Sequence, residues 1–117
     1  MSEAQTTGQE VARELTAFQR NILTVLAEEP RYGLAIKREL ESYYGEEVNH
    51  GRLYPNLDDL VSKGLIKKSE LDKRTNEYAL TGEGVDAVLD GLEWSLEKFV
   101  VDEERAETIR SIVADTL

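Results

Sequence analysis

Hydrophobic residues recur near the start of the chain at the spacing of an amphipathic helix. They lie three or four positions apart, at Val11, Leu15, Phe18, Ile22 and Val25–Leu26. This period predicts one buried helix face. The helix ends before Pro30, because a proline disfavours helical backbone in the residue that precedes it. Its start has two candidates, since both Thr7–Glu10 and Thr16–Gln19 fit a capping box.

Two further helices with the same kind of pattern follow. One covers about residues 33–44, and Gly45 suits the position just after its C-terminus. The next covers about residues 49–63 and is ended in the same way by Gly64. Pro55 stands in its second turn and removes one backbone hydrogen bond, so we expect a bend there.

The hydrophobic period then changes to two, which is typical of strands. Residues 65–71 and 77–80 predict a β-hairpin whose polar tip is 72–76. Thr81 is a favourable cap for a fourth helix that runs to about residue 101. Because no glycine or proline separates this helix from the last amphipathic stretch, residues 82–117 form either one helix or two.

The predicted order is three helices, a hairpin and a long C-terminal helical region. This is the order of a winged helix-turn-helix, and a length of 117 residues is that of one domain. The predicted fold class is therefore mainly α with a small β-hairpin. We expect a flexible N-terminus at 1–12, a DNA-binding winged helix-turn-helix at 13–81 and a helical dimerisation region at 82–117.

Charge is distributed unevenly along the chain. Asp and Glu number 24 against 14 Lys and Arg, which gives a net charge of −10, whereas DNA-binding domains usually leave a basic footprint. Residues 31–74 nevertheless carry nine basic and eight acidic side chains, and residues 75–117 carry three and eleven. Two explanations of the acidic part stay open: a solubilising surface, or adaptation to the salt-rich cytoplasm of a halophilic, salt-loving archaeon.

Composition excludes several classes of function. The chain has no cysteine, which excludes disulfides, thiol nucleophiles and zinc ribbons. It has one histidine and no nucleotide-binding or zinc-protease motif, so we expect neither an enzyme nor a bound metal or cofactor. The sequence has no apolar run of membrane-spanning length and no signal peptide. We therefore expect a cytoplasmic protein with no membrane partner.

The third helix carries side chains suited to DNA on the face opposite its leucines. Arg52 and Asn56 can each form two hydrogen bonds with a base edge, to guanine and adenine respectively, and Lys63 shares their face. The unpaired N–H groups at the helix start favour a phosphate, and Tyr54 adds a hydroxyl within reach of the backbone. The residues at that start are Asn49, His50 and Gly51. The alternative is an ordinary solvated helix face, which the acidic pair Asp58–Asp59 favours.

The hairpin holds the densest basic cluster of the chain. Its members are Lys67, Lys68, Lys73 and Arg74. On a wing, these side chains would contact the phosphate backbone or a minor groove. The alternative is a charged strand edge that prevents aggregation between strands.

Three short motifs in the region 16–81 carry a family resemblance. They are Tyr-Gly at 32–33, Gly-Arg-Leu-Tyr-Pro-Asn-Leu at 51–57 and Gly-Leu-Ile at 64–66. The chain thereby resembles the PadR-like winged-helix transcription regulators, and its size is that of their shorter subgroup. The sequence departs from the family at His50, where Ser or Pro is frequent.

The resemblance implies a sequence-specific transcription regulator that acts as a homodimer. Its partner would be double-stranded DNA with a pseudo-palindromic promoter site. The third helix, about 49–63, would lie in the major groove, and the wing, about 65–80, on the backbone or in the minor groove. The alternative of a different class is a winged-helix module that binds another protein and does not bind DNA directly. No small-molecule effector follows from the sequence.

The fourth helix carries two apolar stripes. The first consists of Val85, Val88–Leu89, Leu92, Leu96 and Phe99, and the second of Gly84, Ala87, Gly91, Trp94 and Val101. A helix that is apolar on two sides is buried on two sides, so we expect one side to pack on its own domain and the other on a partner. The family resemblance implies that this partner is the same helix of a second subunit. The expected dimer seam includes Leu92, Trp94, Leu96 and Phe99. The alternative is that Trp94 covers the terminal helix of its own chain, while Gly91 indicates close approach of another backbone.

Overall fold

The structure is a computed structural model and describes residues 11–72 and 75–117. Within these ranges it contains five helices and three strands. They are α1 (Ala17–Glu28), β1 (Arg31–Tyr32), α2 (Gly33–Tyr44), α3 (His50–Ser62), β2 (Ile66–Asp72), β3 (Thr75–Leu80), α4 (Gly82–Phe99) and α5 (Glu103–Thr116). The predicted fold class, mainly helical with a small sheet, is confirmed.

A capping box at Thr16 marks the start of α1. The Thr16 hydroxyl accepts a hydrogen bond from the Gln19 N–H at 3.1 Å, and the Thr16 N–H donates to the Gln19 side chain at 3.3 Å. This is one of the two starts that the sequence allows; the other, at Thr7, lies outside the described residues. Val11 therefore precedes α1, and Ala12 and Leu15 are buried beside the helix.

The C-terminal ends of α2 and α3 are where the glycines predict them. Gly45 and Gly64 have φ angles of +73° and +77°, which glycine adopts without the steric cost of a Cβ. The Gly45 N–H donates to the Glu41 carbonyl, and the Leu65 N–H donates back to the Leu60 carbonyl. Both helices thus end by reversing the chain direction within one residue.

The sheet has one strand more than the sequence analysis predicts. Its order is β1-β3-β2, antiparallel throughout, with Arg31 opposite Tyr78 and Ile66 opposite Leu80. The two residues of β1 are too few to show the period of a strand. Beyond Ile66 every residue of β2 is exposed, so the outer part of the hairpin projects from the body as a wing.

One hydrophobic core connects α1, α2, α3, the sheet and the start of α4. Its members are Ala12, Leu15, Phe18, Ile22, Leu23, Leu26, Ile36, Leu40, Val48, Leu53, Leu57, Leu60, Leu65, Ile66, Tyr78 and Ala87. The three leucines Leu53, Leu57 and Leu60 are fully buried, so the inner face of α3 is the one that the sequence predicts. The opposite face of α3 is left to solvent.

The N-terminus of α4 packs tightly on the junction between α3 and the wing. A Cβ on Gly84 would lie 2.1 Å from the Leu65 carbonyl oxygen, so only glycine fits there. The same Leu65 carbonyl accepts the Thr81 N–H, and the Thr81 hydroxyl donates to the Gly64 carbonyl at 2.7 Å. Within the chain, the nearest atom to a Cβ on Gly91 is on the Arg20 side chain, at 3.4 Å, so the close backbone predicted at Gly91 is not supplied by the described residues of the same chain.

Of the two stripes on α4, the small residues face the body of the protein. Gly84 and Ala87 are its buried residues, while the large side chains of the other stripe are mostly exposed. The two helices of the C-terminal region are separate, because the Asp102 side chain caps α5 by accepting the Arg105 N–H at 2.9 Å. No residue of α5 is buried.

The contrast between Gly84 and Gly91 gives a paired test on one helix. Gly84→Ala forces the Leu65 backbone to move, and overpacking of this kind typically costs about 1–3 kcal/mol of unfolding free energy. Gly91→Ala meets only the end of a long side chain and gains helix propensity of up to about 1 kcal/mol. Denaturant unfolding at one protein concentration checks both. A Gly84→Ala variant as stable as the unsubstituted protein would contradict the packing described.

Candidate nucleic-acid interface

The start of α3 is an exposed, capped turn that carries a stacked pair of rings. The Asn49 side chain caps the helix by accepting the Gly51 N–H. The His50 ring stacks on Tyr54 with centroids 5.4 Å apart and planes 10° apart. Asn49, His50 and Gly51 are exposed. The side chain and carbonyl of Asn49 accept the N–H groups of Gly51, Arg52 and Leu53. The positive end of the helix dipole still makes this exposed turn a suitable place for a phosphate.

Tyr54 connects α3 to the start of α2. A Cβ on Gly33 would lie 2.5 Å from the Tyr54 hydroxyl oxygen, so the ring occupies the space that any other residue at position 33 would need. Two of the sequence motifs, the Tyr-Gly at 32–33 and the Leu-Tyr-Pro within 51–57, therefore contact each other in space. This contact holds the second turn of α3 against the first turn of α2.

Arg52 lies across the ring of Phe18 on α1. Its guanidinium carbon is 3.9 Å from the ring centroid, a cation–π arrangement. Phe18 is buried, whereas Arg52 is exposed. The ring thus supports the guanidinium from below and leaves its edge open to solvent.

Asn56 is bound to the protein more closely than the sequence predicts. Its Oδ1 accepts a hydrogen bond from Gln19 Nε2 at 3.0 Å, and its Nδ2 donates to the Arg52 carbonyl at 2.7 Å. Gln19 Nε2 also donates to Asp59 Oδ2 at 2.8 Å. Asn56 therefore lies at the edge of the exposed face and contacts α1, instead of projecting freely.

Sequence reasoning missed the functional position of Gln19. Gln19 is 6% exposed, a polar side chain among the buried residues. A signal for it exists, because it follows Leu15 by four positions and precedes Ile22 by three, which places it on the apolar face. Buried amides need hydrogen-bond partners; the Gln19 Oε1 accepts the Thr16 N–H, and the partners of its Nε2 lie on α3.

Lys63 and Asp59 form an ion pair on the last turns of α3. The hydrogen bond from Lys63, together with that from Gln19, lowers the pKa of Asp59 below its ordinary value. Asp59 is consequently a carboxylate at neutral pH. Part of the positive charge of Lys63 is therefore balanced within the helix.

The wing places its two described lysines in solvent. Lys67 lies opposite Ala79, and Lys68 lies opposite Tyr78, so the two side chains leave the strand on opposite faces. Both are exposed, and Ile66 is buried, so Lys67 points away from the core as predicted. Lys73 and Arg74 fall outside the described residues.

The large apolar side chains of α4 form an exposed face. Val85, Leu89, Leu92, Leu96 and Phe99 share one side of the helix, and Trp94 lies on the other stripe; between 39 and 60% of each residue is exposed. All four residues predicted for the dimer seam are among them. Trp94 is 60% exposed, so it is not covered by the terminal helix of its own chain.

Two other kinds of site are missing from the part of the chain that the structure describes. No helix within residues 11–72 and 75–117 is long and apolar enough to cross a membrane. In the same ranges, no group of three or more His, Asp or Glu side chains is placed to bind a metal ion.

Known proteins share this arrangement. RosR from H. salinarum, in the structure grown from NaBr, is 78% identical, with a TM-score of 0.88 over 90% of this chain and 96% of that chain. A complex structure of the same regulator, hsRosR-S4, is 75% identical, with a TM-score of 0.91 over 93% and 95% of the two chains. A PadR family transcription regulator from Clostridium difficile R20291 is 26% identical, with a TM-score of 0.59 over 71% and 92%.

A comparison with models of protein families also identifies a family of transcriptional regulators. No match was found among curated protein sequences. The model of the transcriptional regulator PadR-like family matches residues 22–89, which is more than half of the chain and includes α2, α3 and the wing. Together with the haloarchaeal RosR structures, this match does not favour the protein-binding alternative. The chain belongs to the PadR-like family of DNA-binding transcriptional regulators and is not an enzyme.

Proposed function

We propose that the protein acts as a homodimer, with the exposed apolar face of α4 as its seam. The single observation that carries this proposal is that face, since soluble monomers rarely expose large contiguous apolar patches. The seam comprises Leu92, Trp94, Leu96 and Phe99. A two-fold dimer would place two copies of α3 in successive major grooves, about 34–36 Å apart, on a pseudo-palindromic site.

In this proposal α3 reads base edges through its exposed first turns. Arg52 is favoured for guanine, because a guanidinium forms two hydrogen bonds with O6 and N7. Phe18 supports it at 3.9 Å and limits the conformations it must lose on binding. Asn56 contributes from the edge of the same face. The helix start, with Asn49, His50, Gly51 and Tyr54, contacts phosphates next to the bases read.

The wing lysines and Lys63 contact phosphates and carry little sequence information. Lys67 and Lys68 are exposed, and Lys73 and Arg74 belong to the same proposal from the sequence alone. Exposed lysines on a projecting hairpin suit an extended run of phosphates. They also discourage pairing of the exposed edge of β2 with another strand, and one role does not exclude the other.

The acidic surface is proposed to be an adaptation to concentrated salt in the cytoplasm. At low ionic strength, the acidic side chains behind the net charge of −10 repel one another and also repel the phosphates of DNA. Salt shortens the range of that repulsion, to about 3 Å at 1 M. The 75–78% identity to haloarchaeal RosR supports this explanation over a general solubilising surface.

The dimer seam is tested by a pair of leucines with equal exposure. Leu92 is 55% exposed on α4, and Leu71 is 54% exposed on the wing. Leu92→Glu puts a charge into the seam and dissociates the dimer, whereas Leu71→Glu leaves it intact. Sedimentation equilibrium measures both, together with Trp94→Ala, for which we expect a loss of about 3 kcal/mol or more if the indole is buried in the seam. A well-folded monomer of the unsubstituted protein at micromolar concentration would refute the proposal.

Affinity measured on two duplexes distinguishes the residues that read bases from those that only contact phosphates. One is selected by the unsubstituted protein from a randomised pool, and the other is its scrambled version. Arg52→Ala lowers the specific-to-scrambled affinity ratio by an amount equivalent to about 1–3 kcal/mol of binding free energy. This is the contribution of one base contact made through two hydrogen bonds. Lys67→Ala weakens binding to both duplexes about equally. It also reduces the slope of log affinity against log salt concentration by about 1.

Lys98→Ala is the control for these charge changes, because Lys98 lies near the C-terminus of α4, away from α3 and the wing. It leaves both affinities nearly unchanged. If Arg52→Ala weakens binding to the two duplexes equally, Arg52 does not read a base, and if Asn56→Ala also leaves the ratio constant, α3 is not the reading helix.

Salt adaptation predicts a rise in thermal stability with KCl. Raising KCl from about 0.1 M to about 1 M shortens the Debye length from about 10 Å to about 3 Å and relieves repulsion among carboxylates. The unfolding midpoint at pH 7 therefore increases, and the increase is smaller near pH 4.6, the isoelectric point, where little net charge remains. Differential scanning calorimetry makes the comparison. A midpoint at pH 7 that does not respond to KCl would disprove the explanation.

A further inference from the structure

We propose that Gln19, which lies on α1 and outside the recognition helix, sets base preference by fixing the direction of the Asn56 amide. The proposal rests on the role of α3 as the reading helix. An asparagine amide presents an oxygen at one end and a nitrogen at the other. Which end faces a base decides which base edge it matches, so whatever fixes that direction takes part in recognition.

The direction is set first by Asp59. Gln19 approaches its Oδ2 to 2.8 Å, and an ionised carboxylate only accepts hydrogen bonds. Asp59 is ionised at neutral pH at its ordinary pKa, and the hydrogen bonds from Lys63 and Gln19 lower that pKa further. The end of the Gln19 amide that faces α3 is therefore its nitrogen.

Asn56 must match that nitrogen with an oxygen. The second N–H of Gln19 Nε2 reaches Asn56 Oδ1 at 3.0 Å. The Asn56 Nδ2 then donates to the Arg52 carbonyl at 2.7 Å, and a carbonyl likewise only accepts. A reversed Asn56 would place nitrogen against nitrogen and oxygen against oxygen, so both ends of the network select the same direction.

The bonds used leave Asn56 able to contact a base. Its amide has two N–H groups and two oxygen lone pairs, and the protein uses one of each. One donor and one acceptor remain, which is what adenine N7 and N6 require. Gln19 itself is 6% exposed, and its Oε1 is held by the Thr16 N–H at 3.3 Å, so it is fixed at both ends.

The central test is Gln19→Met, which keeps a long unbranched side chain and removes the amide. The Asn56 amide then loses the bond to its oxygen and keeps the one from its Nδ2 to the Arg52 carbonyl. Its direction is held less strongly, so base preference relaxes at the positions it reads. We expect the specific-to-scrambled affinity ratio to fall by up to about tenfold, the net effect of one hydrogen bond. Sequences selected from randomised duplexes by each variant show which positions relax. An unchanged preference overturns the proposal.

Asn21→Met is the matched control on the same helix. The Asn21 amide also bonds to a neighbouring helix, but to the Tyr44 hydroxyl on α2, at 2.8 Å. It perturbs the packing of α1 without touching α3, so the base preference stays that of the unsubstituted protein. If it relaxes the same positions, the effect belongs to α1 packing and not to the Gln19 amide.

A double substitution separates positioning from a purely structural role. In an Asn56→Ala background, Gln19→Met has no amide left to direct and changes the preference no further. A further relaxation in that background overturns the proposal. Asp59→Asn serves as a second variant if Gln19→Met does not fold, because residue 59 is partly exposed. An amide at position 59 no longer selects the nitrogen of the Gln19 amide, so we expect a partial relaxation of base preference. An unchanged preference in this variant counts against the role of Gln19.

The outcomes also distinguish this proposal from the reading role of α3. If Arg52→Ala and Asn56→Ala both leave the ratio unchanged, the reading role itself fails. If those two lower the ratio and Gln19→Met does not, α3 reads DNA and only the role of Gln19 is overturned.

Discussion

The contact between Tyr54 and Gly33 is the constraint on which the exposed surface of α3 depends. The ring fills the space of a missing Cβ at position 33 and so sets the distance between the second turn of α3 and the first turn of α2. Once that distance is set, Leu53, Leu57 and Leu60 reach the core. Everything that faces away from the core on α3 is then presented in one orientation. The glycine at position 33 and the tyrosine at position 54 therefore depend on each other, although they are far apart in the sequence.

Local signals explain what could be predicted from the sequence. The caps at Asn49 and Thr81 and the glycine ends at Gly45 and Gly64 depend on neighbouring residues only, and all lie where the pattern places them. The break before α5 depends on a capping aspartate at Asp102, which no glycine or proline announces. The pattern also identified the exposed apolar face of α4.

Features that depend on distant contacts could not be predicted in the same way. The environment of Asn56 is set by Gln19, which lies 37 positions earlier in the chain. Within the chain, the glycine that meets another backbone is Gly84, whose close neighbour is the Leu65 carbonyl on a different element. The strand β1 has two residues and pairs with β3, more than forty positions later. Periodicity along one element carries no information about these contacts.

The hydrogen bonds of Thr81 connect the start of α4 to the end of α3 and the start of the wing. The hydroxyl of Thr81 joins the end of α3 at Gly64 to the α4 N–H of Gly84, and the Leu65 carbonyl lies against that same turn. A tilt of α4 therefore carries the wing and the end of α3 with it. In the proposed dimer, substitutions confined to the α4 seam would change the spacing between half-sites while the residues that touch DNA stay the same. Operator geometry and base preference could then evolve separately.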